Sequence, residues 1–271
     1  MFTKLFLSVL LATSVLAAPR GQGGLRKRIA ARAARRGGPM IRSSVERPAL
    51  SNITNVEFSE NWSGAVLTSP PSGQLWTTVT GQFNVPTPSR PSGSSSGTFA
   101  ASAWVGIDGD TAQNSILQSG IDFQISGRDT IEYDTWFEWY PLDAEDFNGP
   151  SLSAGDIVQV TVTATSSTSG TVVLENLTTG ESVSTDVSAP DKSAALAQQN
   201  AEWIVEDFEE GDSLVNFADF NTITFTNAVA STASEDVGTS GATIIEIESS
   251  SGEILTDVSI PSDSSVVVSY N

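Results

Sequence analysis

From Ser51 onward the chain is a succession of short strand-like runs separated by turn residues, and this rhythm limits the fold more than any other feature. The runs are Trp62–Thr68, Leu75–Val85, Ala100–Ile107, Ser115–Ile125, Thr130–Tyr140, Asp156–Thr165, Thr171–Leu177, Glu202–Glu206, Thr222–Ala228, Thr243–Glu248 and Ser264–Tyr270. Pro70 to Gly73, Pro88 to Gly97, Asp108-Gly109, Ser166 to Gly170 and Ser250 to Gly252 supply turn chemistry between them. Many strands at short spacing, without alternating helices, predict an all-β antiparallel sandwich. Ser193–Gln199 is the one stretch read as a short helix. No internal boundary or repeat divides residues 51–271, which are read as one acidic domain.

Composition narrows the chemistry. The chain has no His and no Cys, which removes Ser-His-Asp and Cys-His triads, His- and Cys-based metal sites and disulfides. Hydrolytic chemistry must then use carboxylates, amides, hydroxyls or the few basic groups. Residues 51–271 carry 3 Lys/Arg and 31 Asp/Glu, a formal net of 3 − 31 = −28. Such a surface repels nucleic acid. It also repels itself at neutral pH until carboxylates are protonated, so acid conditions suit it.

The first fifty residues differ in kind. Met1–Ala17 reads as a secretory signal peptide: Lys4, a mostly apolar Leu5–Leu16, then Val15-Leu16-Ala17 as a cleavage signal. Its apolar run is too short to span a bilayer, so a secreted, extracellular protein with no membrane anchor after cleavage is expected. Residues 18–50 hold nine Lys/Arg against Glu46 and read as a basic propeptide that covers the acidic domain until acid weakens the ion pairs. Among three sequons, Asn52 and Asn176 are expected glycan acceptors, whereas Asn61, beside Trp62 at a strand start, is a candidate for burial.

Three stretches could carry chemistry. Ala201–Gly211 holds five carboxylates in eleven residues. As a strand it sets Glu202, Ile204 and Glu206 on one face and Ala201, Trp203 and Val205 on a core-like opposite face. On its own it reads as a solvated acidic strand before it reads as a catalytic one. In Asp129–Pro141, Glu132, Asp134, Trp136, Glu138 and Tyr140 share a face, opposite Tyr133, Thr135, Phe137 and Trp139. Carboxylates interleaved with aromatics suit a cleft for an extended substrate. The third comprises Trp104–Thr111 and Ser115–Gly120. Its Asp108 and Asp110 lack the further ligands of a calcium loop. Gln118, a neutral amide able to donate to an oxyanion, reads as structural without other information.

Together these stretches resemble the fungal glutamic peptidases, the eqolisin family. The matching segments are Asn61-Trp-Ser-Gly-Ala-Val66, Trp104-Val-Gly-Ile-Asp-Gly-Asp-Thr111, Ile116-Leu-Gln-Ser-Gly-Ile-Asp122, Tyr133-Asp-Thr-Trp-Phe-Glu-Trp-Tyr-Pro141, Leu174-Glu-Asn-Leu-Thr-Thr-Gly180 and Ala201-Glu-Trp-Ile-Val-Glu-Asp-Phe-Glu-Glu210. The resemblance implies a lectin-like sandwich of two seven-stranded sheets and a catalytic pair, Gln118 and Glu206. It also implies cleft residues Trp62, Trp104, Asp108, Asp134, Trp136, Glu138 and Tyr140. It implies an acid endopeptidase acting as a monomer on protein or peptide substrates, inhibited by its own propeptide, without cofactor or metal. A glycosidase on the same sandwich is the enzymatic alternative, since Glu132, Asp134 and Glu138 flank Trp136. A carbohydrate-binding module is the non-catalytic one.

Overall fold

Alternation of inward and outward side chains organises the computed structural model, which describes residues 35–45, 55–211 and 213–271. The expected signal peptide, most of the basic segment and Asn52 lie outside the described residues. In chain order the strands are β1 (Arg35–Arg36), β2 (Val56–Ser59), β3 (Trp62–Leu67), β4 (Thr78–Asn84), β5 (Phe99–Ile107), β6 (Ile116–Ser126) and β7 (Thr130–Tyr140). They continue as β8 (Glu145–Asp146), β9 (Ile157–Ser166), β10 (Ser169–Asn176), β11 (Glu181–Ser188), β12 (Ala201–Glu206) and β13 (Glu209–Glu210). The last are β14 (Thr222–Ser231), β15 (Asp236–Val237), β16 (Thr243–Ile247), β17 (Thr256–Ser262) and β18 (Ser265–Tyr270).

Two sheets pack face to face. One runs β2-β16-β3-β12-β5-β6-β7-β8, the other β11-β10-β9-β4-β14-β18-β17 with β15 attached to β14. Each therefore has seven longer strands and one two-residue strand, in line with the expected sandwich. The pairing is antiparallel except between β2 and β16, which run parallel. A separate two-stranded pairing joins β1 to β13.

The main core lies between the sheets. Trp203 and Val205 of β12, Val105 of β5, Leu117 of β6 and Trp139 of β7 meet Val79 and Phe83 of β4, Val160 and Val162 of β9 and Phe225 of β14 there. The outer face of the first sheet carries a second cluster: Met40, Trp62, Val66, Trp104, Ile116, Trp136, Ile204 and Ile245. The face opposite the core is thus also apolar and covered, which the parity reading alone did not predict.

Besides the two-residue strands β1, β8, β13 and β15, three longer strands went unread in the sequence for physical reasons. β11 (Glu-Ser-Val-Ser-Thr-Asp-Val-Ser) buries only Val187 and is an edge strand. β17 ends across Pro261, which an edge strand tolerates. β2 is the other sheet's edge. The helix expected over Ser193–Gln199 shrinks to one 3-10 turn, Lys192–Ala194, capped by Asp191. Beyond it Leu196 enters the core and the backbone N–H groups of Gln198 to Asn200 bind a carboxylate instead of a helical turn.

Trp203 locks the two sheets together. It is fully buried, and its indole N–H donates to Thr80 O of β4 at 2.8 Å. A Cβ on Gly81 would come within 2.9 Å of its ring, so that glycine makes the space the indole fills. Trp203→Ala is expected to cost about 3–5 kcal/mol, read as a lowered denaturation midpoint in guanidinium.

Candidate active site

Strand register brings the expected residues into rows across the outer face of the first sheet. One row runs Trp62 (β3), Glu206 (β12), Ser102 (β5), Asp122 (β6) and Asp134 (β7). The next has Gly64, Ile204, Trp104, Gly120 and Trp136, and the third Val66, Glu202, Gly106, Gln118 and Glu138. Gln118 and Glu206 thus come from different strands two rows apart, and their side chains reach inward over Trp104.

The glycines in these rows make room for that indole. A Cβ on Gly120 would lie 2.5 Å from Trp104 Cβ, and one on Gly106 would lie 2.8 Å from its ring. Without side chains there, Trp104 lies along the sheet and donates from Nε1 to Glu206 Oε2 at 2.8 Å. Trp62 packs edge-on against it, centroids 4.9 Å apart.

Glu206 is 1% exposed. Burial pushes its carboxyl up to about 8, against the opposing pull of hydrogen bonds from Trp104 and the Gly38 N–H. Glu202 is fully buried, with neither carboxylate oxygen hydrogen-bonded among the described residues. Burial first, then Asp108 and Asp110, raise its carboxyl well above the usual range and favour its neutral form near the stem of Gln118.

Residues 37–41, in the stretch expected to be propeptide, lie across this face. The Gly37 N–H donates to Glu138 Oε2 at 3.0 Å, and Gln118 Nε2 donates to Gly37 O at 2.9 Å. The Gly38 N–H donates to Glu206 Oε1 at 3.3 Å, and Trp62 Nε1 donates to Gly38 O at 3.0 Å. Asn61 Nδ2 donates to Pro39 O, its Oδ1 accepts from the Ile41 N–H, and Met40 exchanges hydrogen bonds with Gly109 O and Gln113. Arg42 then pairs with Glu57 and Asp110. An open cavity of about 800 Å³ beside this segment is lined by Tyr140, Asn61, Asp110 and Gln113 among others.

Gln118, Glu206, Trp62 and Glu138 therefore meet the same few backbone atoms, and Trp104 and Trp136 frame them. Tyr140 flanks them in the cavity wall. Asp134 shares the face but sits two rows from Glu138, opposite Asp122. Asp108 corrects the expectation. It is fully buried, and its oxygens accept from the N–H groups of Gln198, Gln199 and Asn200 at 2.8, 2.7 and 3.1 Å. It fixes the entry to β12 instead of lining the cleft. Asn176 is a second correction. It is fully buried; its amide donates to Ser151 O and Asp156 and accepts from Thr178 and Thr179, leaving no room for a glycan. Asn61 is buried, and also stands 3.5 Å from Glu206 Oε1. Its burial was expected from its place beside Trp62; its approach to Glu206 was not. Glycines 106 and 120 carried no chemical signal at all.

The covered face of this β-sandwich thus gathers a buried glutamate, a glutamine and tryptophans around peptide backbone, in a chain without His or Cys. The chain belongs to the Peptidase A4 family, whose model matches residues 60–270. It is 45% identical to Aspergillopepsin-2 of Aspergillus niger, over 99% of both chains. It is 40% identical to Scytalidopepsin B of Scytalidium lignicola, over 99% of this chain and 98% of that one. The crystal structure of scytalido-glutamic peptidase with a transition state analog inhibitor superposes with a TM-score of 0.68 at 41% identity, covering 78% of this chain and 98% of that one. The protein is accordingly a hydrolase of the glutamic peptidase type, and the glycosidase and carbohydrate-binding alternatives fall.

The buried acids fix the sign of the pH dependence. Burial raises Glu206 and Asp207 to about 8, and raises Glu202, Asp108 and Asp110 as well. Folded pKa values above the unfolded ones mean that folding takes up protons. Their contribution is complete below the unfolded carboxylate range near ~4 and is lost as pH rises through about 8. Thermal denaturation should show Tm falling by roughly 5–10 °C between pH 4 and pH 8, at about 2–4 °C per kcal/mol for this size. Asp207→Asn should flatten the curve.

Proposed function

We propose that the protein is a secreted acid endopeptidase, made as a zymogen, that hydrolyses peptide bonds with Gln118 and Glu206. The observation that carries this reading is the disposition of one amide: the Gly37 carbonyl oxygen accepts from Gln118 Nε2 while the adjoining Gly38 N–H meets Glu206 Oε1. Those are the two atoms of a peptide bond whose charge and protonation change on hydrolysis. A donor stands at the one and a proton-carrying group at the other.

In the proposed cycle, ionised Glu206 takes a proton from a water that attacks the scissile carbonyl. Gln118 orients that water through Oε1, which has no hydrogen-bond partner among the described residues, and its Nε2–H stabilises the developing oxyanion. Glu206, now protonated, gives the proton to the leaving amine, and no acyl-enzyme forms. Burial under residues 37–38 holds Glu206 protonated. Its exposure to an incoming substrate and water lowers the carboxyl towards the ordinary ~4.3, where it serves as base and then acid in acid medium. Trp62, Trp104, Trp136, Glu138 and Tyr140 form the walls that receive substrate backbone and side chains.

Residues 18–50 act in this reading as an intramolecular inhibitor, and the enzyme works as a monomer, for which a site completed by Gln118 and Glu206 of one chain suffices. Arg42 supports acid release: protonating Asp110, whose carboxyl burial already raises, removes one of its partners.

The test is acid-activated protein on denatured protein substrate. Loss of one oxyanion donor typically lowers rate about 10²–10³-fold, so Gln118→Ala should fall by that factor and Glu206→Gln should be nearly inactive. Both should keep the wild-type far-UV circular dichroism. A folded Glu206→Gln that still digests the substrate at acid pH contradicts the assignment.

A further inference from the structure

We infer that the Gly37–Gly38 bond is the chain's own first substrate: the segment that covers the site is held in cleavage register and is cut there, in cis, when the protein is acidified. This rests on the proposed Gln118/Glu206 chemistry and adds to it the position of a processing site.

Inhibitory coverage alone would not require this register. A segment laid across the face could present any atom to Gln118 and Glu206, or a side chain. What it presents is the two ends of one amide, carbonyl oxygen to Nε2 at 2.9 Å and N–H to Oε1 at 3.3 Å. The bond is anchored on both sides, as an extended substrate would be. Upstream, β1 pairs with β13, Arg36 opposite Glu209 and Arg35 opposite Glu210. Downstream, Trp62, Asn61, Gly109 and Gln113 hold residues 38–41. Holding reacting groups in place on both sides lowers the barrier by removing the entropy of approach.

The two glycines are not equivalent. A Cβ on Gly37 would stand 2.7 Å from Gln118 Nε2 and 3.2 Å from Glu138 Oε2, so any side chain there displaces the donor from the carbonyl. A Cβ on Gly38 would meet nothing within 4 Å. The first glycine is demanded by the contact with Gln118; the second is free to vary.

The step balances with solvent water as the co-reactant. Water oxygen bonds to the Gly37 carbonyl carbon and the C–N bond to Gly38 breaks. Glu206, protonated beneath the segment, gives its proton to the Gly38 nitrogen and takes one up from the attacking water, and the remaining O–H stays on the new Gly37 carboxyl. The products are a fragment ending at Gly37 and a domain beginning at Gly38.

The experiment follows the full chain by intact-mass spectrometry after a shift from neutral to acid pH, with activity on denatured protein measured in parallel. The expected result is a species starting at Gly38 that precedes other processed forms and appears at a rate unchanged over a tenfold range of protein concentration. Full-chain Glu206→Gln should give none of it. Gly38→Ala should be cut at the same bond, and Gly37→Val should lose that cut by 100-fold or more. Activity that develops while the 37–38 bond stays intact overturns the inference and leaves the proposed function standing. A Gly38 terminus whose rate rises with concentration, or one formed in Glu206→Gln, overturns cleavage in cis by this site. A chain that neither cuts nor digests substrate overturns both.

Discussion

The site depends on keeping a carboxyl group out of water. Glu206 sits on a rigid strand in the middle of a sheet, under residues 37–38 and against Trp104 and Trp62. Burying a carboxylate is costly unless it is protonated or well hydrogen-bonded. Here both devices operate: indole and amide N–H groups face the two oxygens, and the carboxyl is still raised to about 8. The apolar cluster of Met40, Trp62, Trp104, Trp136 and Ile204 is what excludes water. Gly106 and Gly120 are what allow that cluster to lie flat against the sheet.

The charge distribution belongs to the same design. An acidic domain of net −28 is self-repelling at neutral pH. A basic segment tethered to it supplies partners, as Arg42 does for Glu57 and Asp110. The Arg42–Glu57 pair is exposed and contributes little, so the hydrogen bonds of residues 37–41 to Gln118, Glu138, Asn61 and Trp62 define where the segment sits. Acid acts oppositely on the two halves: it stabilises the domain, whose buried acids must be protonated, and weakens the pairing of Arg42 with Asp110, whose carboxyl burial raises.

Much of this was legible in the chain. Period-two alternation placed Trp203 and Val205 in the core and Glu202 and Glu206 on the other face, and did the same for Trp139 against Trp136, Glu138 and Tyr140. The resemblance implied Asp108 as a cleft residue, but the extended backbone of β5 ends just before it. That residue lies one past the end of β5 with φ 69°, so its side chain turns towards residues 198–200 instead of continuing the row. Asn176 misled because a sequon and a turn-closing Asn are the same residues; here the side chain closes the turn. Composition ranked Gln118 as structural, since a neutral amide carries no charge or pKa signal; the ordered family motifs singled it out. Nothing local revealed where Gly37 and Gly38 would dock, because glycines carry no side-chain signal and their partners lie 101 and 168 residues away.

The account turns on Glu206 being protonated beneath its cover at neutral pH. The direct measurement is a ¹³C NMR titration of the Glu206 carboxyl carbon in the uncleaved full chain between pH 6 and pH 9, assigned by comparison with Glu206→Gln. The account predicts a protonated carboxyl at pH 6 that titrates near pH 8. A Glu206 already ionised at pH 6, with no transition up to pH 9, would contradict it.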